Sequence, residues 1–299
     1  MDDIHKKIRE NRSNIKQNSL NAYISNIKKV FREVFDDEVN IKNLNQFVKV
    51  KKYLESLTPA TRKNVMNSLI VLLKAYDVNK TTLNKYQNYF ESLIDDYENN
   101  YNKQEKSQKE EKNWITTDQI KKKIKELDDK ISKMDMESLD KNELDLIQQH
   151  LILNLYTEIP PMRNDYAQMK VSDKDLKNDN YINLKTKEIV LNKYKTAKTY
   201  GEKKIPIPPK ILTLIKRWHK LNNSQYLLIN IRDKNAMTNN GLTKYLNKIF
   251  NPKKVSTTIL RKLYLSEKYP VIHNRNDMKK DAYIMGHSIK TQQGIYRKK

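Results

Sequence analysis

The feature that most constrains the fold is a helical spacing of apolar residues, which a single polar segment interrupts. Before that segment, four stretches carry apolar side chains at every third or fourth position, the period of one helix face. Thr58 and Pro59 begin one of them, because threonine is a favoured N-cap and proline fits the first helical turn. The spacing predicts a helical domain over residues 1–100, with apolar faces in residues 20–34, 47–57, 65–76 and 83–97.

The polar segment lies between residues 99 and 113 and has the sequence NNYNKQEKSQKEEKN. It contains almost no apolar side chains and many charges, so it contributes little to any core. Such a composition is typical of a linker or of a solvated extension of the preceding helix. We expect a linker over residues 101–113 and a second domain over residues 114–299.

The second domain combines helical periods with a short region of strand-like alternation. Thr117 is placed to cap one helix, and another helix follows Asp140. Alternating apolar residues then predict three strands, after which the helical spacing returns. The predicted fold is mainly α with a small antiparallel β-sheet; its strands cover residues 181–184, 188–191 and 205–207, and its later helices cover residues 210–221, 239–250, 258–267 and 276–285.

The charge balance indicates the kind of partner. The chain carries a formal net charge of +23 over 299 residues, and its lysines and arginines are spread along the sequence. Dispersed positive charge suits a protein that surrounds double-stranded DNA better than one with a single basic tail. A lysine- and asparagine-rich composition imposed by an AT-rich genome is the alternative explanation, so charge alone does not define a function.

The sequence also bears on cofactor and compartment. It has no cysteine, hence no disulfide and no thiolate metal site, and its five histidines are scattered. No apolar run reaches the roughly 18 residues of a transmembrane helix, and the first residues lack the apolar core of a secretory signal. We expect no metal, no other cofactor and no membrane partner. The expected location is intracellular, in the nucleus or cytoplasm, wherever the target DNA is.

Several side chains suited to phosphate chemistry stand at informative positions. Arg163 follows two prolines, where a helix must stop, so its guanidinium projects from a fixed turn. Arg261 lies on a predicted helix, and Gly286 is placed to end the next helix just before His287. Tyr296 comes nine residues after His287. Arginines offer forked donors to phosphate oxygens, and a tyrosine near positive charge becomes a nucleophile close to neutral pH.

This set of residues resembles the signature of the tyrosine recombinases, the phage-integrase-like enzymes that cut and rejoin DNA. The resemblance covers the chain from roughly residue 20 to the end and implies a helical core-binding domain followed by a catalytic domain. It makes Tyr296 the nucleophile that forms a 3′-phosphotyrosine bond, with Arg163, Arg261 and His287 as further catalytic residues. The phosphotyrosine conserves the energy of the broken phosphoester bond, so rejoining needs no nucleotide cofactor. The resemblance also implies a homo-oligomer, a tetramer, on paired DNA sites.

The family places a further catalytic residue, a lysine, on a β-hairpin. In this chain the resemblance assigns it to Lys195, which precedes a threonine on the incoming strand, and Lys198 is the alternative because hairpin lengths vary. This lysine would donate a proton to the departing 5′ oxygen. The resemblance implies DNA contacts for Lys198, Thr258 and Lys262.

Two positions depart from the family pattern. Thr258 stands where a histidine or lysine is usual, and Tyr166 stands where an acidic residue usually supports the first arginine, with Asp165 one position earlier. The sequence therefore predicts a site-specific recombinase or integrase, with a composition that resembles those of viruses or mobile elements. A type IB topoisomerase-like enzyme uses a similar set of side chains and is one alternative. A DNA-binding relative without catalysis is another, and Thr258 is the feature that favours it.

Overall fold

The chain divides into two compact units. The computed structural model describes residues 2–102, 104–269 and 275–296. The first unit comprises residues 1–103 and the second residues 104–299. Within the described ranges, no helix combines the length and the apolar character that crossing a membrane requires.

The first unit is a helical bundle whose core contains the apolar faces expected from the sequence. Tyr86 is fully buried, packs edge-on against Phe47 and donates a hydrogen bond of 2.9 Å to the Leu44 carbonyl. A first helix, which the sequence analysis did not predict, buries Ile4 and Ile8 against this core. The helices are α1 (Asp2–Asn11), α2 (Gln17–Phe35), α3 (Phe47–Glu55), α4 (Pro59–Ala75) and α5 (Lys80–Asn102), with a 3₁₀ turn at Ile41–Asn45.

The second unit begins inside the segment predicted as a linker. Ser107 and Glu110 form a reciprocal capping box, in which each side chain bonds the other residue's backbone N–H, and this box starts helix α6 (Gln108–Asn113). The next helix is capped by Thr116 rather than by Thr117, because Thr116 and Gln119 complete a second capping box. The remaining helices are α7 (Thr117–Ile131), α8 (Lys141–Glu158), α9 (Ala197–Tyr200), α10 (Pro209–Asn222), α11 (Asn239–Ile249), α12 (Thr257–Lys268), α13 (Arg275–Met285) and α14 (Ile289–Thr291).

The prediction of a mainly α fold with a small sheet is confirmed, but the sheet is mixed rather than antiparallel throughout. Its strands are β1 (Lys170–Ser172), β2 (Tyr181–Asn183), β3 (Glu188–Leu191) and β4 (Lys203–Pro206), in that spatial order. The strands β2, β3 and β4 pair antiparallel, as predicted, whereas β1 pairs parallel with β2. The sequence analysis missed β1 because Val171 is its only apolar residue, so no alternation is visible.

Helices α12 and α13 are held together by a buried carboxylate. Asp281 on α13 is buried and accepts hydrogen bonds from the hydroxyls of Tyr264 (3.1 Å) and Tyr269 (2.7 Å). Lys268 completes the group with an ion pair of 2.8 Å to the same carboxylate. Since Arg261 lies on α12 and His287 follows α13, this network fixes the relative position of two elements that carry candidate site residues.

Candidate active site

Both predicted arginines converge on the end of α13. Arg163 leaves the Pro-Pro turn after α8, and its Nη1 donates to the carbonyls of Met285 (3.3 Å) and Gly286 (3.2 Å). Arg261 is 1% exposed, and its Nη1 donates to the carbonyls of Pro161 (3.1 Å) and Met285 (3.0 Å). The shared Met285 carbonyl thus brings together two guanidinium groups that lie 98 positions apart in the sequence.

Arg261 retains hydrogen-bonding capacity in this arrangement. Its Nε and Nη2 are buried without a hydrogen-bond partner among the described residues. Unpaired buried donors are costly to a fold, which is why they are concentrated at sites that bind something. Burial lowers the pKa of Arg261 to about 10, and the nearby Arg163 charge acts in the same direction. The group therefore stays charged at neutral pH and offers its free donors to an anion.

Gly286 makes the close approach of these groups possible. It ends α13 with φ +69°, and the His287 N–H closes the turn on the Ala282 carbonyl at 3.0 Å. This is the left-handed helix end predicted from the sequence. A Cβ at this position would lie 3.1 Å from Nη1 of Arg163 and 3.6 Å from Nζ of Lys203. A side chain here would therefore be strained and would press on the cations.

Tyr296 lies between Arg261 and His287. It belongs to a π-helical turn over Gln292–Tyr296, a local widening of the helix that is frequent at functional sites. Its ring stacks on the His287 imidazole, with centroids 4.9 Å apart and planes 22° apart. The Arg261 guanidinium carbon lies 4.5 Å from the centroid of the same ring. Tyr296 is therefore in direct contact with two other residues of the predicted motif.

The phenol of Tyr296 is tuned toward ionisation. Burial acts to raise its pKa, but the charges of Arg261 and Arg163 outweigh that effect, and the net result is a lowered pKa. An opposite charge close to a phenolate favours the ionised form. Tyr296 stands apart in this respect from buried tyrosines such as Tyr86, where burial alone raises the pKa.

His287 is neutral in this environment. Burial, followed by the Arg261 charge, lowers its pKa to about 3. Its Nδ1 lies 3.1 Å from the Ser288 carbonyl, which only accepts hydrogen bonds, so Nδ1 carries the ring proton. Nε2 is then an acceptor, and it is buried without a partner among the described residues. Nε2 of His287 is thus a free hydrogen-bond acceptor beside several cationic donors.

A lysine that was not among the predicted site residues also lies in this site. Lys203 begins β4 and is fully buried, with its Nζ donating to the Tyr283 carbonyl. Burial lowers the pKa of Lys203 to about 8, and the charges of Arg163 and Arg261 add to that effect. The available signal was the period-two alternation of β4, which places Lys203 on the same inward face as Ile205.

The two lysines predicted on this hairpin lie elsewhere. Lys195 and Lys198 are both exposed, Lys198 on the short helix α9. Lys195 was the predicted catalytic lysine, yet the lysine that approaches Arg163 is Lys203, because the inward-facing position falls on β4 and not on the connection before it. The neighbouring Thr196 does reach the site, where its hydroxyl donates to the Gly286 carbonyl at 3.3 Å.

The predicted DNA-contacting residues on α12 have different environments. Thr258 is exposed. Lys262 was expected to contact DNA, but it is 9% exposed and its Nζ is paired with the carboxylate of Glu110 on α6. Burial acts to raise the pKa of the Glu110 carboxyl, but the hydrogen bonds from Lys262 and from the Ser107 backbone outweigh that effect, so the pKa is lowered. Lys262 therefore anchors α6 in this structure.

Asp165 and Tyr166, the two residues around the usual acidic position after the first arginine, have different environments. Asp165 is partly buried, and burial raises its pKa against the opposing charges of Arg163, Arg261 and Lys203. Tyr166 is fully buried and packs edge-on against Tyr156, so it is a core residue. Asp165 is thus the carboxylate that faces the three cations.

Comparison with solved structures identifies the fold. The chain is similar to the Tn1549 transposon integrase in complex with transposon right-end DNA, with a TM-score of 0.60 and 15% identity over 99% of this chain and 94% of that one. It also aligns with the XerA recombinase, at a TM-score of 0.42 and 12% identity over 98% of this chain and 93% of that one. No family model and no curated protein matches the sequence.

The second of these alignments is too distant to support an argument, whereas the first establishes the fold. The chain has the fold of a transposon integrase, as the resemblance in its sequence motifs predicted. At this level of identity the similarity defines the architecture and leaves the activity to be argued from the site.

Proposed function

We propose that this protein is a tyrosine-type site-specific DNA recombinase. The observation that carries the proposal is the position of Tyr296, which contacts both His287 and Arg261 beside a second arginine and a buried lysine. A nucleophile with a lowered pKa among forked cationic donors is what phosphoryl transfer requires. The fold shared with a DNA-bound transposon integrase and the net charge of +23 support DNA as the substrate.

In the proposed reaction, the Tyr296 oxygen attacks the scissile phosphorus as the bond from phosphorus to the 5′ oxygen breaks. The phenol proton passes to Nε2 of His287, directly or through a water molecule, once the negative charge of the bound phosphate offsets the Arg261 and Arg163 charges that lower the pKa of His287 in the free protein. Arg163 and the free donors of Arg261 bind the non-bridging oxygens, where negative charge builds up in the transition state. Lys203 donates a proton to the departing oxygen. The products are a 3′-phosphotyrosine and a free 5′-hydroxyl, and the reverse reaction rejoins a strand.

The surface residues are proposed to bind the DNA backbone. Lys195, Lys198 and Thr258 are exposed, and lysines are suited to phosphate contacts. We expect these contacts to add to affinity without contributing to the chemical step, because none of them is part of the buried group of cations. A tetramer on two paired DNA sites is the expected assembly, as the resemblance to the recombinase family implies.

The proposal is tested by trapping the covalent intermediate. Nicked suicide duplexes from the genomic sequence that flanks the coding region lose a short strand after cleavage, so the phosphotyrosine accumulates and is detected on denaturing gels. Absence of an adduct on every such duplex would favour a DNA-binding protein without catalysis. A topoisomerase-like enzyme would instead relax a supercoiled plasmid that carries no paired sites, and a two-site recombination assay separates the two activities.

The proton donor is identified by a chemical rescue. We expect Lys203→Met to slow cleavage by roughly 10²-fold or more, the usual contribution of a general acid, while the methionine fills the buried space of the lysine stem. A substrate with sulfur as the bridging 5′ atom should restore the rate, because a thiolate leaves without protonation. Lys195→Ala and Lys198→Ala are the matched controls. Rescue of either control, and not of Lys203→Met, would transfer the role to that residue.

Gly286→Ala is expected to impair cleavage more than stability. The positive φ alone should cost about 1 kcal/mol of unfolding free energy, and the new methyl group should displace the Arg163 guanidinium, whose nitrogen lies 3.1 Å from the ideal Cβ. Gly201→Ala is a control for backbone strain without a close contact, since φ +67° with ψ −157° is a conformation almost restricted to glycine and nothing lies within 4 Å of its Cβ. Denaturant unfolding and adduct formation measure the two effects. Equal losses of cleavage in both variants would contradict the proposed contact.

A further inference from the structure

The ammonium of Lys203 is surrounded by aromatic rings. Its Nζ lies 4.6 Å from the ring centroid of Tyr194, 5.2 Å from that of Tyr200 and 4.7 Å from that of Tyr283. The rings come from both sides of the site, since Tyr194 and Tyr200 precede β4 and Tyr283 lies on α13. The ring faces carry negative electrostatic potential, so each attracts the cation.

These contacts compensate for an otherwise unfavourable charge. Lys203 is fully buried and, in the part of the chain that the structure describes, has no ion pair. Arg163 and Arg261 both disfavour its charged form, and Asp165 is the carboxylate that favours it. His287 is neutral, as its lowered pKa requires. The three rings, together with the Tyr283 carbonyl to which Nζ donates a hydrogen bond, are therefore the groups in contact with the ammonium that favour the protonated lysine.

The exposure of the rings argues that this arrangement is more than core packing. Tyr200 is 41% exposed and Tyr283 is 42% exposed, although the ammonium that they contact is fully buried. Ordinary packing places a lysine the other way round, with the apolar stem covered and the charged end in water. Here partly solvated rings cover a buried charge. The hydroxyl of Tyr194 further donates to the Gly201 carbonyl at 2.8 Å, which holds the hairpin loop closed.

We propose that Tyr194, Tyr200 and Tyr283 form an aromatic cage that positions the Lys203 ammonium and keeps it protonated for delivery to the departing 5′ oxygen. This inference rests on the proposed function and names positioning residues for it. As the bond from phosphorus to the 5′ oxygen breaks, one proton moves from Nζ to that oxygen and leaves a neutral amine. On rejoining, the amine takes up the proton of the attacking 5′-hydroxyl.

The cage predicts a difference between losing a ring and losing a hydroxyl. Tyr200→Leu and Tyr283→Leu remove an attractive ring face, so we expect the pKa of Lys203 to fall by roughly 0.5 to 1 unit in each. Tyr200→Phe and Tyr283→Phe retain the ring face and are the matched controls, in which the pKa should stay within about 0.2 unit of wild type. Both positions are partly exposed, which favours folding of every variant, and either position alone decides the outcome.

The pKa of Lys203 is measured first without DNA, and its effect on cleavage is then measured with DNA. Lysine labelled with ¹³C at Cε reports the pKa by NMR, and the Lys203 signal is identified by its loss in Lys203→Met. On a suicide duplex, the alkaline fall in cleavage rate should move to lower pH in the leucine variants by the same interval. Because the lysine must be protonated to act as an acid, a lower pKa removes the active form at a lower pH.

The outcomes separate this inference from the proposed function. Equal titration midpoints in the leucine and phenylalanine variants would overturn the cage, whatever the wild-type protein does to DNA. A shifted NMR midpoint in a protein that cleaves no duplex would support the electrostatic cage but remove its proposed part in catalysis. That result would overturn both the inference as stated and the recombinase proposal. Shifts that agree in both measurements support it.

Discussion

Tyr296→Phe is expected to abolish the covalent protein–DNA adduct while leaving DNA affinity nearly unchanged. The substitution removes one hydroxyl and no positive charge, and the phenyl ring still fits between His287 and Arg261. The proposed nucleophilic oxygen is lost entirely, so a phosphotyrosine can no longer form at this position. Denaturing gels of suicide-duplex reactions measure the adduct, and fluorescence anisotropy of the same duplex measures binding.

A second tyrosine provides the control for this experiment. Tyr181→Phe also removes a hydrogen-bonded hydroxyl in the same unit, one that donates to Asp175 at 3.0 Å, but it lies on β2 and outside the group of cations. It should form the adduct at the wild-type rate. Adduct formation by Tyr296→Phe would show that another residue is the nucleophile.

Arg261→Lys and Arg163→Lys should each reduce the cleavage rate by roughly 10²-fold or more, as lost donors to a developing negative charge do. The charge is kept, but a lysine cannot reproduce the forked donors. Arg261 uses Nη1 on two carbonyls and has Nε and Nη2 free for phosphate, so a single ammonium would have to replace both functions. Single-turnover cleavage kinetics on the suicide duplex measure the effect.

Binding should change far less than cleavage in these variants. The chain carries 59 lysines and arginines, so under the proposed function one altered phosphate contact would contribute a single increment to affinity and to its salt dependence. Arg217→Lys is the matched control, because Arg217 is an exposed arginine of α10 that bonds the Met136 sulfur. Cleavage rates within a few-fold of wild type for Arg163→Lys or Arg261→Lys would remove that residue from the active site.

Much of the site could be predicted because its chemistry lies in short motifs. The prolines Pro160 and Pro161 prevent the helix α8 from continuing, and Gly286 ends α13 in a left-handed conformation. Both features can be predicted from the sequence, and they determine where Arg163 and His287 lie. The approach of Tyr296 to Arg261 was expected from the family resemblance. In the structure the Tyr296 ring contacts both the Arg261 guanidinium and the His287 ring.

The lysine could not be located in the same way. Its position depends on which residues of the hairpin face inward. The sequence between β3 and β4 contains several lysines, and no apolar pattern there shows which of them face the core. The pairing of β4 with β3 settles this, because it turns Lys203 inward and Lys204 outward. The Lys262–Glu110 pair was equally hidden, since it joins residues 152 positions apart.

The group of cations around Gly286 has a consequence for the stability of the second unit. Arg163, Lys203 and Arg261 lie together in a partly desolvated space, where the charges of Arg163 and Arg261 disfavour the charge of Lys203 and the charge of Arg163 disfavours that of Arg261. Such repulsion makes the folded unit less stable than it would be with a neutral group of the same shape. Among the residues that the structure describes, backbone carbonyls, aromatic rings and Asp165 offset it. The demands of folding and of chemistry are therefore opposed at this place, as is common at active sites. A bound phosphate, carrying the complementary charge, would relieve the conflict.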